Sequence, residues 1–126
     1  MTRERKDLGK SAEGLAKALL KREGYRIIEE NYACPLGELD LVGLEGEVLA
    51  FIEVRSRRGS GNPEASVNLS KQRQIIKAAQ FYLSQKKWEG DCRFDVVAIQ
   101  VSREGRLERI ELIRDAFDQD GIETFA

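Results

Sequence analysis

A chain of 126 residues without a single histidine excludes Ser-His-Asp and Cys-His nucleophiles, histidine-centred nucleases and His-rich metal sites, so hydrolytic chemistry would have to rest on carboxylates, lysines and a metal. With 41% hydrophobic and 34% charged residues it has the size and composition of one ordinary globular domain, and no apolar run approaches the roughly 20 residues of a membrane span. The net charge of −1 taken alone argues against a nucleic-acid partner, the two cysteines Cys34 and Cys92 lack metal-type spacing and read as free thiols, and the charged start Met1 to Lys6 leads into a mixed helix, so a cytoplasmic location is expected.

In chain order, the first predicted element is a helix from about Leu8 to Arg22. Ala12, Leu15, Ala16, Leu19 and Leu20 recur at helical spacing, and Gly24 stops the helix. Glu13 falls at the edge of this stripe and has two readings, a surface pair with Lys17 at i+4 or an acid turned toward a sheet. Tyr25 to about Glu30 reads as a strand, and Cys34-Pro35-Leu36-Gly37 as a turn in which Gly37 aims the next strand.

Two strands follow, each with an acid inside an apolar run: Gly37-Glu38-Leu39-Asp40-Leu41-Val42 and Ala50-Phe51-Ile52-Glu53-Val54-Arg55, joined around Glu45-Gly46-Glu47. A carboxylate in a packed strand loses hydration and needs a cation or donors in return. Two on one face suit a hard divalent metal, which points to phosphodiester chemistry. A turn at Glu45-Gly46 sets Asp40 opposite Phe51 with Glu53 as diagonal neighbour, whereas a turn at Gly46-Glu47 sets Asp40 directly opposite Glu53. Facing Cβ atoms lie about 5 Å apart and diagonal ones roughly 7 to 8 Å, so both registers serve one ion. A slip by one residue sends one acid to the other face and destroys the site.

Ser56 to about Leu69 is rich in Gly, Ser, Asn and Arg and reads as a flexible loop. A second helix is predicted from about Ser70 to Lys87, with Ser70 as N-cap and Ile75, Ile76, Ala79, Tyr82 and Leu83 on one face. Tyr82 and Trp88 could stack on bases, yet at the end of an amphipathic helix they read first as core or rim residues. Phe94 to Val101 is a strongly apolar strand, Ser102 to Gly105 turns it, and Arg106 to Ile113 is the last strand, leaving a tail with room for a short helical turn. Residues 55 to 77 carry Arg55, Arg57, Arg58, Lys71, Arg73 and Lys77 against Glu64 alone, while residues 104 to 126 carry seven acids against Arg106, Arg109 and Arg114. Such an asymmetry can steer an anionic strand to one face; solvated loop and helix charges are the plainer alternative.

This order of elements predicts an α/β sandwich around a mixed sheet: an antiparallel meander, then a parallel crossover through the second helix. Glu13, Asp40, Glu53 and the start of the second helix should gather at one sheet edge.

Glu in the first helix, Gly37-Glu38-Leu39-Asp40, Glu53-Val54-Arg55, Lys71-Gln72 and Arg93-Phe94-Asp95 together resemble the YraN-type bacterial family. That family is related to archaeal Holliday junction resolvases and to the restriction-endonuclease-like superfamily, whose metal motif is written PD-(D/E)xK. The resemblance spans about residues 9 to 100. It implies a restriction-endonuclease-like three-layer sandwich, with a central mixed β-sheet flanked by helices, in one nuclease-like domain over residues 1–126 (core about 9–113, short C-terminal tail). Asp40 and Glu53 would be metal ligands with the Val54 carbonyl as a third, Glu13 would assist through a water, and magnesium, or manganese in its place, would be the cofactor. Lys71 and Gln72 would touch phosphate; Arg57, Arg58 and Arg73 are expected along the nucleic acid from the basic segment itself. Arg55 stands where the superfamily has lysine. It stays protonated and can orient or stabilise a phosphate but not act as a general base; its plainer role is to neutralise Glu53. Asp95 has a plainer role too, local hydrogen bonding beside Arg93.

The expected function is that of a magnesium-dependent nuclease-like domain acting on DNA, with branched or single-stranded intermediates as candidate substrates. A non-catalytic nucleic-acid-binding module of the same fold and a protein-interaction domain whose acids pair with arginines are the alternatives. Resolvase-like enzymes cut two strands with two sites, so a homodimer is one arrangement implied by analogy.

Overall fold

The computed structural model describes the backbone of residues 2–118 and the side chains of residues 12–118. Its elements are α1 (Thr2–Arg22), β1 (Tyr25–Cys34), β2 (Gly37–Glu45), β3 (Val48–Arg58), a short 3-10 helix (Pro63–Ser66), α2 (Leu69–Lys86), β4 (Cys92–Val101) and β5 (Leu107–Phe117). The sheet has five strands in the order β1-β2-β3-β4-β5. β3 and β4 are parallel and the other neighbours antiparallel, so the meander and the crossover through α2 are both present.

Alternation along the strands divides the apolar side chains between two cores. Leu39, Val42, Leu49, Phe51, Phe94 and Val96 pack with Ile75, Ile76, Ala79 and Tyr82 of α2. Leu41, Ala50, Ile52, Val97 and Ile99 pack with Ala12, Ala16 and Leu20 of α1. The sheet therefore lies between two helices. Each fully buried large side chain, such as Phe51 or Leu20, contributes about 1.5 to 3 kcal/mol. Among the described residues, no helix is long and apolar enough to cross a membrane.

Several expectations change. Leu15 is 38% exposed, because the small Ala12 and Ala16 bring α1 close to the sheet along the i, i+4, i+8 line ending at Leu20, and Leu15 falls beside it. β1 outruns its expected end at Glu30 and continues to Cys34, because Tyr32, Ala33 and Cys34 stay paired with Leu39, Glu38 and Gly37 of β2. The loop expected from Ser56 starts later, since β3 stays paired with β4 out to Arg58 opposite Val101. α2 is capped by Asn68, not Ser70: the Asn68 side chain accepts from the Lys71 amide at 2.9 Å. β5 continues to Phe117, so no helical turn forms between Arg114 and there; residues 119–126 of the tail lie outside the described residues.

Candidate metal and phosphate site

The β2–β3 hairpin decides whether the two acids meet. Its turn is Gly46-Glu47, with Gly46 at φ +60, the left-handed first position that a two-residue II′ hairpin turn asks of glycine. Leu44 faces Leu49 and Leu41 faces Ile52, the register of the second of the two turns considered, and the pairing ends there, one residue short of Asp40 and Glu53. At Asp40 the strand also turns over. Leu39 enters the α2-side core and Leu41 the α1-side core, although an undisturbed strand would send both the same way. On the β1 side, Leu41 pairs with Glu30 and Leu39 with Tyr32, which leaves Asp40 and Asn31 unpaired between them, and Asn31 adopts φ 51. Asp40 thus sits in a notch of the sheet, where its Oδ2 accepts from the Val54 amide at 2.8 Å.

Glu53 is only 5% exposed. Its Oε2 lies 3.3 Å from Arg55 Nη2 and 3.6 Å from Lys71 Nζ. Burial, followed by the neighbouring Asp40 carboxyl, pushes the Glu53 carboxyl up to about 8, and the weaker pulls of Lys71 and Arg55 leave it there. Desolvation disfavours the carboxylate, and a like charge within hydrogen-bonding reach adds to that cost. Near neutral pH the dyad therefore holds a proton that a cation could displace.

Glu13 approaches from α1. Together with Ala12, Asn31, Asp40, Val54 and Ser56 it lines a cleft of about 190 Å³. The i+4 pair with Lys17 is not made; Lys17 bonds Glu30 at 2.9 Å instead. Glu13 Oε1 is buried with no hydrogen-bond partner, and so is Arg55 Nε; they are the only two such side-chain atoms among the described residues. A buried polar atom without a partner costs about 1 to 3 kcal/mol. The site holds one open acceptor and one open donor.

The other expected residues are placed less uniformly. Val54 lines the cleft. Gln72 is turned away: its amide donates to the Val67 carbonyl at 2.9 Å and it borders a different pocket. Arg57, Arg58 and Arg73 are exposed, the first two held by the carbonyls of Ser60 and Arg103. Tyr82 is buried in the α2-side core and Trp88 packs against it. Asp95 is wholly buried and fully engaged: Tyr25 Oη donates to it at 2.6 Å, Arg93 Nε at 2.8 Å and the Asp115 amide at 2.9 Å. That is the local bonding expected beside Arg93.

Sequence reading missed Asn31 and Ser56. Asn31 carried one signal, as an asparagine within a strand-like run is among the few residues that accept a left-handed backbone; Ser56 carried none. Gly37 stands at φ 149 with the Gln74 carbonyl 3.4 Å from where a Cβ would be, so it sets how closely β2 approaches α2. Asp40 and Glu53 interact directly, and Glu13 and Val54 line the same cleft as Asp40. Among the described residues no three carboxylate or thiol side chains form a ready metal cluster.

The profile of the "Uncharacterised protein family UPF0102" matches residues 12–99, an interval holding Glu13, Asp40, Glu53, Arg55 and Lys71. A UPF0102 protein of Moorella thermoacetica is 44% identical over 120 residues, 93% of this chain and 100% of its own. One from Syntrophus aciditrophicus is 45% identical over 113 residues, 87% of each chain. A third, from Chlorobium chlorochromatii, is 44% identical over 117 residues, 88% of this chain and 91% of its own.

Proposed function

Because the chain belongs to the uncharacterised protein family UPF0102, whose description carries no activity, its chemistry has to come from its own side chains, and we propose a divalent-metal-dependent nuclease-like protein acting on DNA phosphodiesters. The observation that supports this most is the placement of the two partnerless buried atoms. Glu13 Oε1 and Arg55 Nε flank the Asp40–Glu53 dyad as an acceptor without a cation and a donor without an anion. A hard divalent ion and a phosphate are the ligands that would satisfy them.

The donor set fits such an ion. All its atoms are oxygen, and the proton held by Glu53 is released when positive charge arrives beside it. Asp40, Glu53 and the Val54 carbonyl would hold the cation, with Glu13 bound through a water. When bound, magnesium or manganese supplies activation of water near neutral pH and neutralises charge on the phosphoryl oxygens.

The remaining side chains act on the phosphate. Arg55 offers a planar two-pronged donor to the phosphate, and Lys71 a single compact positive charge beside Glu53. Lys71 belongs to the first turn of α2, where the helix dipole also favours an anion. Arg57, Arg58 and Arg73 would follow the neighbouring phosphates.

A second reading has its own support. Arg55 already lies 3.3 Å from Glu53, so Arg55 and Lys71 can compensate that carboxylate in a nucleic-acid-binding module that needs no metal. Calorimetry with Mg²⁺ and Mn²⁺ separates the two. A cation site lost in Asp40→Ala supports the nuclease; salt-sensitive DNA binding without a cation site supports the module.

A further inference from the structure

The row of the sheet that contains Glu53 continues into a second pocket. Glu53 pairs with Val96 on β4, and Val96 pairs with Ile113 on β5. Residues paired in this way point to the same face, and strands are about 4.8 Å apart, so Ile113 lies roughly 10 Å from Glu53 along a straight line. Val96 and Ile113 form part of a pocket of about 240 Å³ that is completed by Glu64, Val67, Gln72, Ala116 and Phe117. Its other link to the site runs through α2, where Gln72 follows Lys71.

The pocket is smaller than the roughly 300 Å³ at which sites for drug-sized molecules begin, which suits a group of one or two rings. Its floor is apolar. Phe117 stacks on Phe94 at 5.0 Å and 18°, and Phe94 on Phe51 at 5.6 Å and 29°, so a column of nearly parallel rings crosses three strands and ends at the pocket. The polar rim offers acceptors. Gln72 spends a donor on the Val67 carbonyl and keeps its carbonyl oxygen, and the Glu64 carboxylate is gripped by Arg109 at 2.7 and 3.2 Å, which offsets its charge toward an anionic strand.

We propose that this pocket takes one unstacked nucleobase of single-stranded DNA whose phosphate lies at Glu53, Arg55 and Lys71. The inference rests on the nucleic-acid reading of that site. A base inside a duplex cannot enter a pocket without leaving the stack, so the substrate has an unpaired nucleotide at the phosphate. A rim of acceptors favours bases with an exocyclic amino group, so cytosine binds better than thymine.

The test measures binding by the full chain in chelator, using a short oligo(dC), an oligo(dT) and a duplex of equal length, so that the result stands whether or not a metal site exists. Oligo(dC) should bind tightest and the duplex weakest. Ala116→Trp fills the pocket from an exposed position, and Phe117→Leu removes the ring while keeping the floor apolar. Each should weaken oligo(dC) binding about tenfold, the effect of one lost stacked base, while the protein stays folded and duplex binding holds. Equal affinity for single strand and duplex, or unchanged oligo(dC) binding in a folded Ala116→Trp protein, overturns the proposal. If the single-strand preference appears while no cation binds and nothing is cut, the pocket stands and the nuclease reading falls.

Discussion

Asp40→Asn should make the metal-free protein more stable at high pH while destroying its site. Glu53 is pushed from 4.5 up to about 8, and each tenfold change in proton affinity is worth about 1.36 kcal/mol, so ionising it in the folded state costs about 5 kcal/mol in all. A carboxyl whose folded value is raised contributes stability that is fully present below its unfolded value and is lost as pH climbs through the folded one. The loss therefore spreads from about pH 4.5 to about pH 8. Burial is the largest single cause, and the hydrogen bond and the charge of Asp40 follow it; removing a like charge that moves a carboxyl by about one unit is worth about 1.4 kcal/mol. Asparagine keeps an oxygen for the Val54 amide and removes the charge. Thermal denaturation in chelator should show the variant level with wild type or slightly below it at about pH 5, where the charged hydrogen bond from Glu53 is lost, and above it by about 3 to 8 °C at about pH 9. Adding Mg²⁺ should raise the wild type and leave the variant unmoved. A pH-independent difference, or a variant less stable at high pH, would refute the coupling of Asp40 to Glu53.

Arg55→Lys should keep or raise cleavage, because it retains the charge and adds a group able to lose a proton; Arg55→Ala should lose about 10² to 10³ in rate, the cost of one transition-state donor elsewhere. A clear loss in Arg55→Lys would show that the planar fork itself is needed. Lys71→Met should push Glu53 still higher, since Lys71 pulls it down more than Arg55 does; carboxyl NMR titration reads this directly, and an unmoved Glu53 would place Lys71 outside the site. Reversing Arg57 and Arg58 to Glu should weaken DNA binding and flatten its salt dependence by roughly 0.7 to 0.9 in logarithmic slope per lost phosphate contact; unchanged binding at low salt would move the contact surface elsewhere.

The site's position is legible in the sequence because two-residue periodicity and one short turn leave few ways to pair β2 with β3. Both registers that keep Asp40 and Glu53 on one face can be read there. The choice between them cannot, since Glu45-Gly46 and Gly46-Glu47 are both acceptable turn pairs and only the backbone at Gly46 decides. Helical spacing puts Glu13 on the edge of the α1 stripe, yet it points to the wrong partner. Lys17 pairs with Glu30 of β1, and helical spacing cannot see a partner on another element. The inversion of β2 at Asp40, with Asn31 unpaired beside it, is a local break in alternation of the kind that functional sites impose. Gln72, which the resemblance sets on a phosphate beside Lys71, donates to the Val67 carbonyl in this structure, since successive helical residues point about 100° apart.

The most direct measurement is a cleavage panel of duplex, single-stranded, flap and four-way junction DNA with Mg²⁺ and with Mn²⁺, run beside Asp40→Ala. Metal-dependent cleavage of at least one substrate with an unpaired nucleotide, absent in chelator and in Asp40→Ala, is the predicted result. No cutting above the Asp40→Ala blank on any substrate with either metal would contradict the account.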